Sequence, residues 1–224
     1  SAIARMENGK IKVIKSDDGQ MDTTPSCVYF GKNKTIFVGL KAYNQLGNDS
    51  TKAFLAFSRT GKMSDHVNTF AAFKREMGTD TLHCSPHMGK SYTPEELSAE
   101  VLKKLKSYVR DEEVNASVIT IPMEFEPFKV DATRRAANLA GFQYIETLQE
   151  PIAASIAYGL ESKQTQGCWL VFDLGGGTFD AALIRVVDGI MKIVDTAGDT
   201  RLGGRDIDYA IVDRIILNHL AEEY

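Results

Sequence analysis

Residues 181–194, AALIRVVDGIMKIV, repeat the opening of the chain, SAIARMENGKIKVI, and the two copies align without a gap. Ala2 meets Ala182, Arg5 meets Arg185, Gly9 meets Gly189 and Lys12 meets Lys192, a constant offset of 180. Asn8 meets Asp188, and most of the other partners are apolar pairs. Each copy reads as two short strands joined by a two-residue turn, Asn8-Gly9 or Asp188-Gly189, whose central positions need φ > 0. One hairpin therefore occurs twice. In the later copy DLGGGTFD, residues 173–180, comes just before the hairpin; in the earlier copy the chain begins where that loop would stand.

At 224 residues and 43% hydrophobic content the chain can fill a core as one large domain or two smaller ones. The net charge of -4, the lack of a basic run and the scattered aromatics argue against a nucleic-acid partner. The longest apolar runs, such as Trp169 to Phe172, are of strand length, and no export-type leader opens the chain. Membrane association is therefore not expected. Cys27, Cys84 and Cys168 are odd in number and far apart, which fits free thiols in a reducing, cytoplasmic compartment.

Along the chain the pattern gives the first hairpin, strands at Cys27–Phe30 and Thr35–Val38, and a short helix near Leu40. From Gly47 to His66 turn formers interrupt any sustained period, and the stretch reads as a loop or insertion. In YTPEELSAEVLKKLKSYV, Thr93 caps, Pro94 takes the first helical position, Glu96 completes a capping box, and Leu97, Val101, Leu105 and Tyr108 line one face. Strand ASVITIP, a helix from about Pro127 to Ala140, strand FQYIET, helix PIAASIAYGL and strand CWLVFD follow. This order argues for α/β layers.

A strand ending in Asp173 and turning through Gly175, Gly176 and Gly177 lets backbone N–H groups approach a phosphate, because no Cβ intrudes. The two common nucleotide loops are absent, so an adenine nucleotide held by a hairpin is the remaining nucleotide option. Thr178 offers a hydroxyl to a terminal phosphate; Asp173 and Asp180 offer oxygens to Mg²⁺-bound water or to an attacking water. Taken alone, a triple glycine between aspartates is more often a tight turn with solvated charges.

The segments FKREMGTD, ITIPMEF, IETLQEPIAASIAYGL and GDTRLGGRDID, in this order around VFDLGGGTFD, resemble the nucleotide-binding domain of the 70-kilodalton heat-shock chaperone family. The resemblance runs from Ser1 to the end and is weakest between Gly47 and His66. It implies an actin-like ATPase (ribonuclease H-like) fold of two related halves, which accounts for the repeated hairpin. Residues 1–166 would be the first lobe and 167–224 the opening strands and helix of the second. The intact protein would bind ATP or ADP with Mg²⁺, hydrolyse ATP, and use the two states to control its grip on unfolded polypeptide in the stress response. J-domain co-chaperones and nucleotide exchange factors would be its partners. The chain by itself, with one glycine loop and an incomplete second lobe, is expected to be inactive.

Residue by residue, the resemblance puts Asp173, Gly175, Gly176, Gly177 and Thr178 in the second phosphate loop, with Asp173 orienting the attacking water. Asp180 would help through Mg²⁺ waters, Glu150 matches the carboxylate beside metal and water, and Lys74 the lysine reaching the β- and γ-phosphates. Pro122 matches the proline that relays nucleotide state. Val130 stands where the family usually has an arginine, a departure that bears on the signal to a peptide-binding domain.

Two weaker constellations remain. His83, Cys84 and His87 in HCSPHMG would ligate zinc if a fourth ligand arrived from elsewhere, and otherwise mark an exposed turn. Gly203-Gly204 either brings a helix N-terminus towards phosphate or makes a tight helix entry. Two alternatives to a chaperone ATPase stay open: a module whose nucleotide is structural, and a filament-forming or sugar-phosphorylating relative.

Overall fold

The computed structural model describes residues 1–60, 67–162 and 166–219. The chain divides into two compact units, Ser1–Ser117 with Asp131–Ile145, and Val118–Val130 with the chain from Glu146 onward. The architecture is mixed α/β, with strands in sheets of two or three. No helix among the described residues is long and apolar enough to cross a membrane.

The first unit opens with the hairpin of β1 (Ile3–Glu7) and β2 (Lys10–Ile14), turning at Asn8 (φ 52°) and Gly9 (φ 74°). Strands β3 (Cys27–Phe30), β4 (Ile36–Val38) and β5 (Thr69–Ala71) form a sheet in the order β4-β3-β5, with helix α1 (Leu40–Thr60) between β4 and β5 in sequence. A 3₁₀ turn, Phe73–Glu76, leads to the hairpin of β6 (His83–Ser85) and β7 (Lys90–Tyr92). Helix α2 (Pro94–Lys106) starts with the expected capping box: Glu96 N–H donates to Thr93 Oγ1 at 3.2 Å, and Thr93 N–H to Glu96 Oε2 at 2.9 Å. Its apolar stripe, Leu97, Val101 and Leu105, with Tyr108 beyond the helix end, is buried against Phe30 and Phe73. Strand β8 (Ala116–Ile121), helix α3 (Pro127–Leu139) and β9 (Tyr144–Gln149) each run from one unit into the other, and β8 pairs with β9.

Helix α1 corrects the loop expected from Gly47. Among its described side chains the inward ones include Ala42, Gln45, Leu46 and Asp49, a helical spacing filled partly by polar residues. The helix is held instead by a buried carboxylate. Asp49 Oδ2 accepts from Asn68 N–H at 3.0 Å and from the Thr69 hydroxyl at 2.7 Å. Asn68 continues the chain of polar contacts, its Oδ1 accepting from Ser85 Oγ at 2.8 Å and His87 N–H at 2.9 Å. The remainder of the expected loop, residues 61–66, lies outside the described residues.

In the second unit helix α4 (Glu150–Ser162) precedes the antiparallel sheet of β10 (Gly167–Leu174), β11 (Phe179–Val187) and β12 (Ile190–Asp199). The repeat holds down to the register: Arg5 faces Lys12 and Arg185 faces Lys192, until a bulge between Leu183 and Ile184 shifts the later copy. Ala182, Ile184 and Val186 are buried with Ile152, Trp169 and Met191 around them, while Leu170 and Phe172 on the opposite face of β10 are 72% and 65% exposed. Helix α5 (Gly204–Ile211) continues through a π-helical turn, Val212–Ile216.

Asp49→Ala should cost about 2 kcal/mol or more in urea unfolding, because two buried donors lose their acceptor, each worth about 1–3 kcal/mol. Asp49→Asn, which keeps one carbonyl oxygen, should cost less; equal stability of Asp49→Ala and wild type would show that α1 is held by something else.

Candidate functional site

The register of β10 and β11 builds the site. Their last pair is Leu174 with Phe179, and the four residues between them close by a bond from Gly175 N–H to Thr178 O at 2.9 Å. One step back in the ladder Asp173 stands directly opposite Asp180, so both carboxylates project from the same face of the sheet. That face carries Ala182 and Ile184, and Ile152 of α4 packs on it. Glu150, the first residue of α4, is half-buried at the helix start, where the dipole favours negative charge.

Asp180 is 1% exposed and its Oδ1 accepts from Met123 N–H at 3.0 Å. Burial raises its pKa above the usual carboxylate range, and Glu150 and Asp173 push the same way; backbone bonds from Met123 and Glu124 oppose them. The amides of the turn after Pro122, itself fully buried, are thus tied to the exit of the glycine loop. The sequence carries no signal for this tie.

Two further glycines shape the loop from outside. A Cβ on Gly198 would lie 2.8 Å from the Phe179 backbone oxygen, 2.9 Å from Glu124 Cγ and 3.1 Å from Asp180 Oδ1, so a side chain there would press first on the β11 backbone and also crowd that carboxylate. A Cβ on Gly203 would lie 2.4 Å from Gly177 N and 2.5 Å from Gly176 C. Gly204 N–H donates to Gly175 O at 3.0 Å and Arg205 N–H to Gly176 O at 3.2 Å. The first amides of α5 are therefore spent on the loop's carbonyls, and Gly203-Gly204 serves as a splint for the loop. Gly176 differs from these: a Cβ there would meet nothing within 4 Å, and its φ is not in the left-handed region.

Within the second unit the structure thus gathers Asp173, Glu150, Asp180, Gly175, Gly176, Gly177 and Thr178, the last 6% exposed. Lys74 lies in the first unit, exposed on the 3₁₀ turn Phe73–Glu76. Pro122 and Val130 belong to the second unit. Among the described residues no three His, Cys, Asp or Glu side chains come close enough to cage a metal. The donors are hard oxygens on like-charged groups, a set that suits Mg²⁺ held through water. The chemistry on offer is that of a phosphate and hydrated-cation site on an α/β scaffold.

The sequence profile of the Hsp70 protein family matches residues 1–224. Similar proteins include a chaperone protein dnaK of Cyanidium caldarium, 39% identical over 96% of this chain and 36% of its own length. The chloroplastic heat shock 70 kDa protein 7 of Arabidopsis thaliana is also 39% identical, over 95% of this chain and 31% of its own length. A stromal 70 kDa heat shock-related protein of Pisum sativum matches to the same extent. The chain belongs to the Hsp70 family, and it spans about a third of the length of these relatives.

The folded protein holds the Asp180 proton more tightly than the unfolded chain does, so stability is lost as pH rises through the ordinary carboxylate range to the raised value. Asp180→Asn keeps the acceptor for Met123 and removes the charge. Its urea midpoint should gain on wild type as the pH rises above about 4; a difference that does not change with pH would mean that Asp180 carries no such cost.

Proposed function

We propose that this chain is the nucleotide-handling part of an Hsp70-type chaperone, with residues 1–166 as the first lobe of an actin-like ATPase fold and 167–224 as the opening of the second. The intact protein binds ATP with Mg²⁺ and hydrolyses it, and its nucleotide state governs its hold on unfolded polypeptide, with J-domain co-chaperones and exchange factors acting on the cycle. Its place is the cytoplasm. The names of its relatives, all chaperones or 70 kDa heat-shock proteins, support this above a structural-nucleotide module or a sugar-phosphorylating relative.

The observation that carries the reading is Gly176. Neither space nor backbone conformation requires glycine there, yet it sits exposed in the turn between Leu174 and Phe179. A methyl group at that point would obstruct a ligand approaching the backbone, and nothing else. The paired carboxylates support the same reading: Asp173 opposite Asp180 is a repulsive arrangement that a nearby cation relieves.

Bound Mg²⁺ supplies charge neutralisation at the transferring phosphate. The chain's own residues do the placing. The glycine turn offers its backbone to phosphate oxygens, the Thr178 hydroxyl lies at the end of that turn, and Asp173 orients the attacking water. Glu150 and Asp180 would help to hold Mg²⁺ through water. Lys74 brings an ammonium to the β- and γ-phosphates. Phosphoryl transfer requires such positioning and charge more than covalent chemistry.

Gly176→Ala should leave the unfolding free energy of this chain in urea unchanged to within about 0.5 kcal/mol and weaken Mg-ATP binding by the full-length protein about tenfold or more. Gly203→Ala, by contrast, should destabilise the fold by about 1–3 kcal/mol through overpacking. A Gly176→Ala protein that binds Mg-ATP as wild type does would remove the phosphate role from this loop.

A further inference from the structure

The segment HCSPHMG, residues 83–89, offers three metal ligands by sequence, and the structure uses them otherwise. Cys84 is exposed, and His87 Nδ1 lies 2.7 Å from the Phe30 carbonyl oxygen. His83 Nε2 lies 2.8 Å from Glu76 Oε2. Both of these atoms are shut off from solvent, and neither makes a hydrogen bond of good geometry. A close contact of buried atoms without a directed bond depends on charge: weak with a neutral imidazole, it becomes an ion pair when the ring is protonated.

Glu76 is the last residue of the 3₁₀ turn that carries Lys74. At three residues per turn, Phe73 and Glu76 fall on the same side and Lys74 on another. Phe73 is 3% exposed and Lys74 exposed, while Glu76 turns its Oε2 inward although its side chain is 41% exposed overall. Ala72, which enters the turn, has φ 62° in the left-handed region, and the turn is closed by bonds from Arg75 N–H to Ala72 O at 3.2 Å and from Met77 N–H to Lys74 O at 3.4 Å, with Thr79 N–H donating to Glu76 O at 3.1 Å. Side chains on the inner side add to this backbone frame in setting where the turn sits. Phe73 and Met77 anchor its ends by packing, and Glu76 anchors the stretch between them through His83. His83 itself stands on a fixed support, since its hairpin is pinned by Asn68 through Ser85 and His87.

We propose that His83 is a positioning residue for Lys74: its ring braces Glu76 on the inner side of the turn whose outer side presents the ammonium. This rests on the reading of Lys74 as the phosphate-reaching lysine. The groups around the ring are the Phe70 ring, edge-on from β5 at 5.4 Å, and Tyr92, its register partner on β7, whose phenol burial keeps in the neutral form. Lys74 and Arg75 share the turn with Glu76.

Hydrogen exchange of the Arg75 and Met77 amides in this chain, corrected for intrinsic rates, tests the brace. His83→Gln should exchange both about fivefold faster, a change of about 1 kcal/mol. The Phe30 amide of β3 reports whether the unit stays folded. Should His83→Gln disturb it, Glu76→Gln removes the charge from the other side with the ring in place and should give the same loss. Unchanged Met77 exchange in the folded variants overturns the brace. In the full-length protein His83→Gln should slow single-turnover hydrolysis of Mg-ATP about fivefold while leaving ATP affinity intact. Unaltered hydrolysis alongside altered exchange would overturn the positioning role. Lys74→Ala is the separate control: wild-type hydrolysis by that variant removes Lys74, and not the brace, from the account.

Discussion

Asp173 and Asp180 face each other across an antiparallel ladder, and the four-residue turn that joins their strands leaves them no alternative. Like charges directly opposite on one sheet face repel. Here the cost is raised further, because Asp180 is buried and Glu150 adds a third negative group to the neighbourhood. Much of the second unit can be understood as arrangements that make this tolerable. Amides after Pro122 solvate Asp180, Gly198 clears the space it occupies, and Gly203 presses against the loop from outside so that the first amides of α5 meet the loop's carbonyls. A protein that sought only a stable hairpin would place apolar or oppositely charged residues at the two positions. Keeping the pair makes sense where a cation and a phosphate complete the charge balance.

The repeated hairpin was legible to the level of individual cross-strand partners, because a two-residue turn with φ > 0 at both positions fixes register and Asn-Gly and Asp-Gly announce it. Helix α2 was equally plain: cap, proline, box and apolar stripe all agree. Helix α1 was hidden because its inward face is closed by Asp49, a residue that sequence patterns assign to the surface. The loop residues could be named from the glycine run and the family resemblance, but the contacts that hold the loop could not. Met123, Gly198 and Gly203 act through one amide or through the lack of a Cβ, and such contributions have no pattern along the chain. His83 was visible only as a possible zinc ligand; its partner Glu76 lies seven positions away, across a turn of irregular backbone.

The two copies of the hairpin differ in what they bury. In the later copy Ile184 and Val186 are covered, while Ala4 and Met6, their counterparts at the offset of 180, are exposed. The earlier copy instead turns Ile3 towards the core and arranges Arg5 in a bidentate pair with Asp111, backed by Glu7 and Glu112. These carboxylates hold the guanidinium charged, with its pKa raised above the ordinary arginine value. A duplicated backbone unit has thus been fitted to two different surroundings by its side chains alone, which is why the repeat persists in register and turn and fades in its apolar positions.

The central claim is that the turn between Asp173 and Asp180 meets the phosphates and hydrated cation of a nucleotide. Paramagnetic broadening by Mn²⁺-ATP on the nitrogen-15-labelled chain addresses it directly, since weak binding is enough and the broadening falls off steeply with distance. The amides of residues 173–180 and of Glu150 should broaden first, and Mg-ATP in excess should restore them. Broadening centred elsewhere, for example on the His83 hairpin, while the glycine loop stays sharp, would contradict the account.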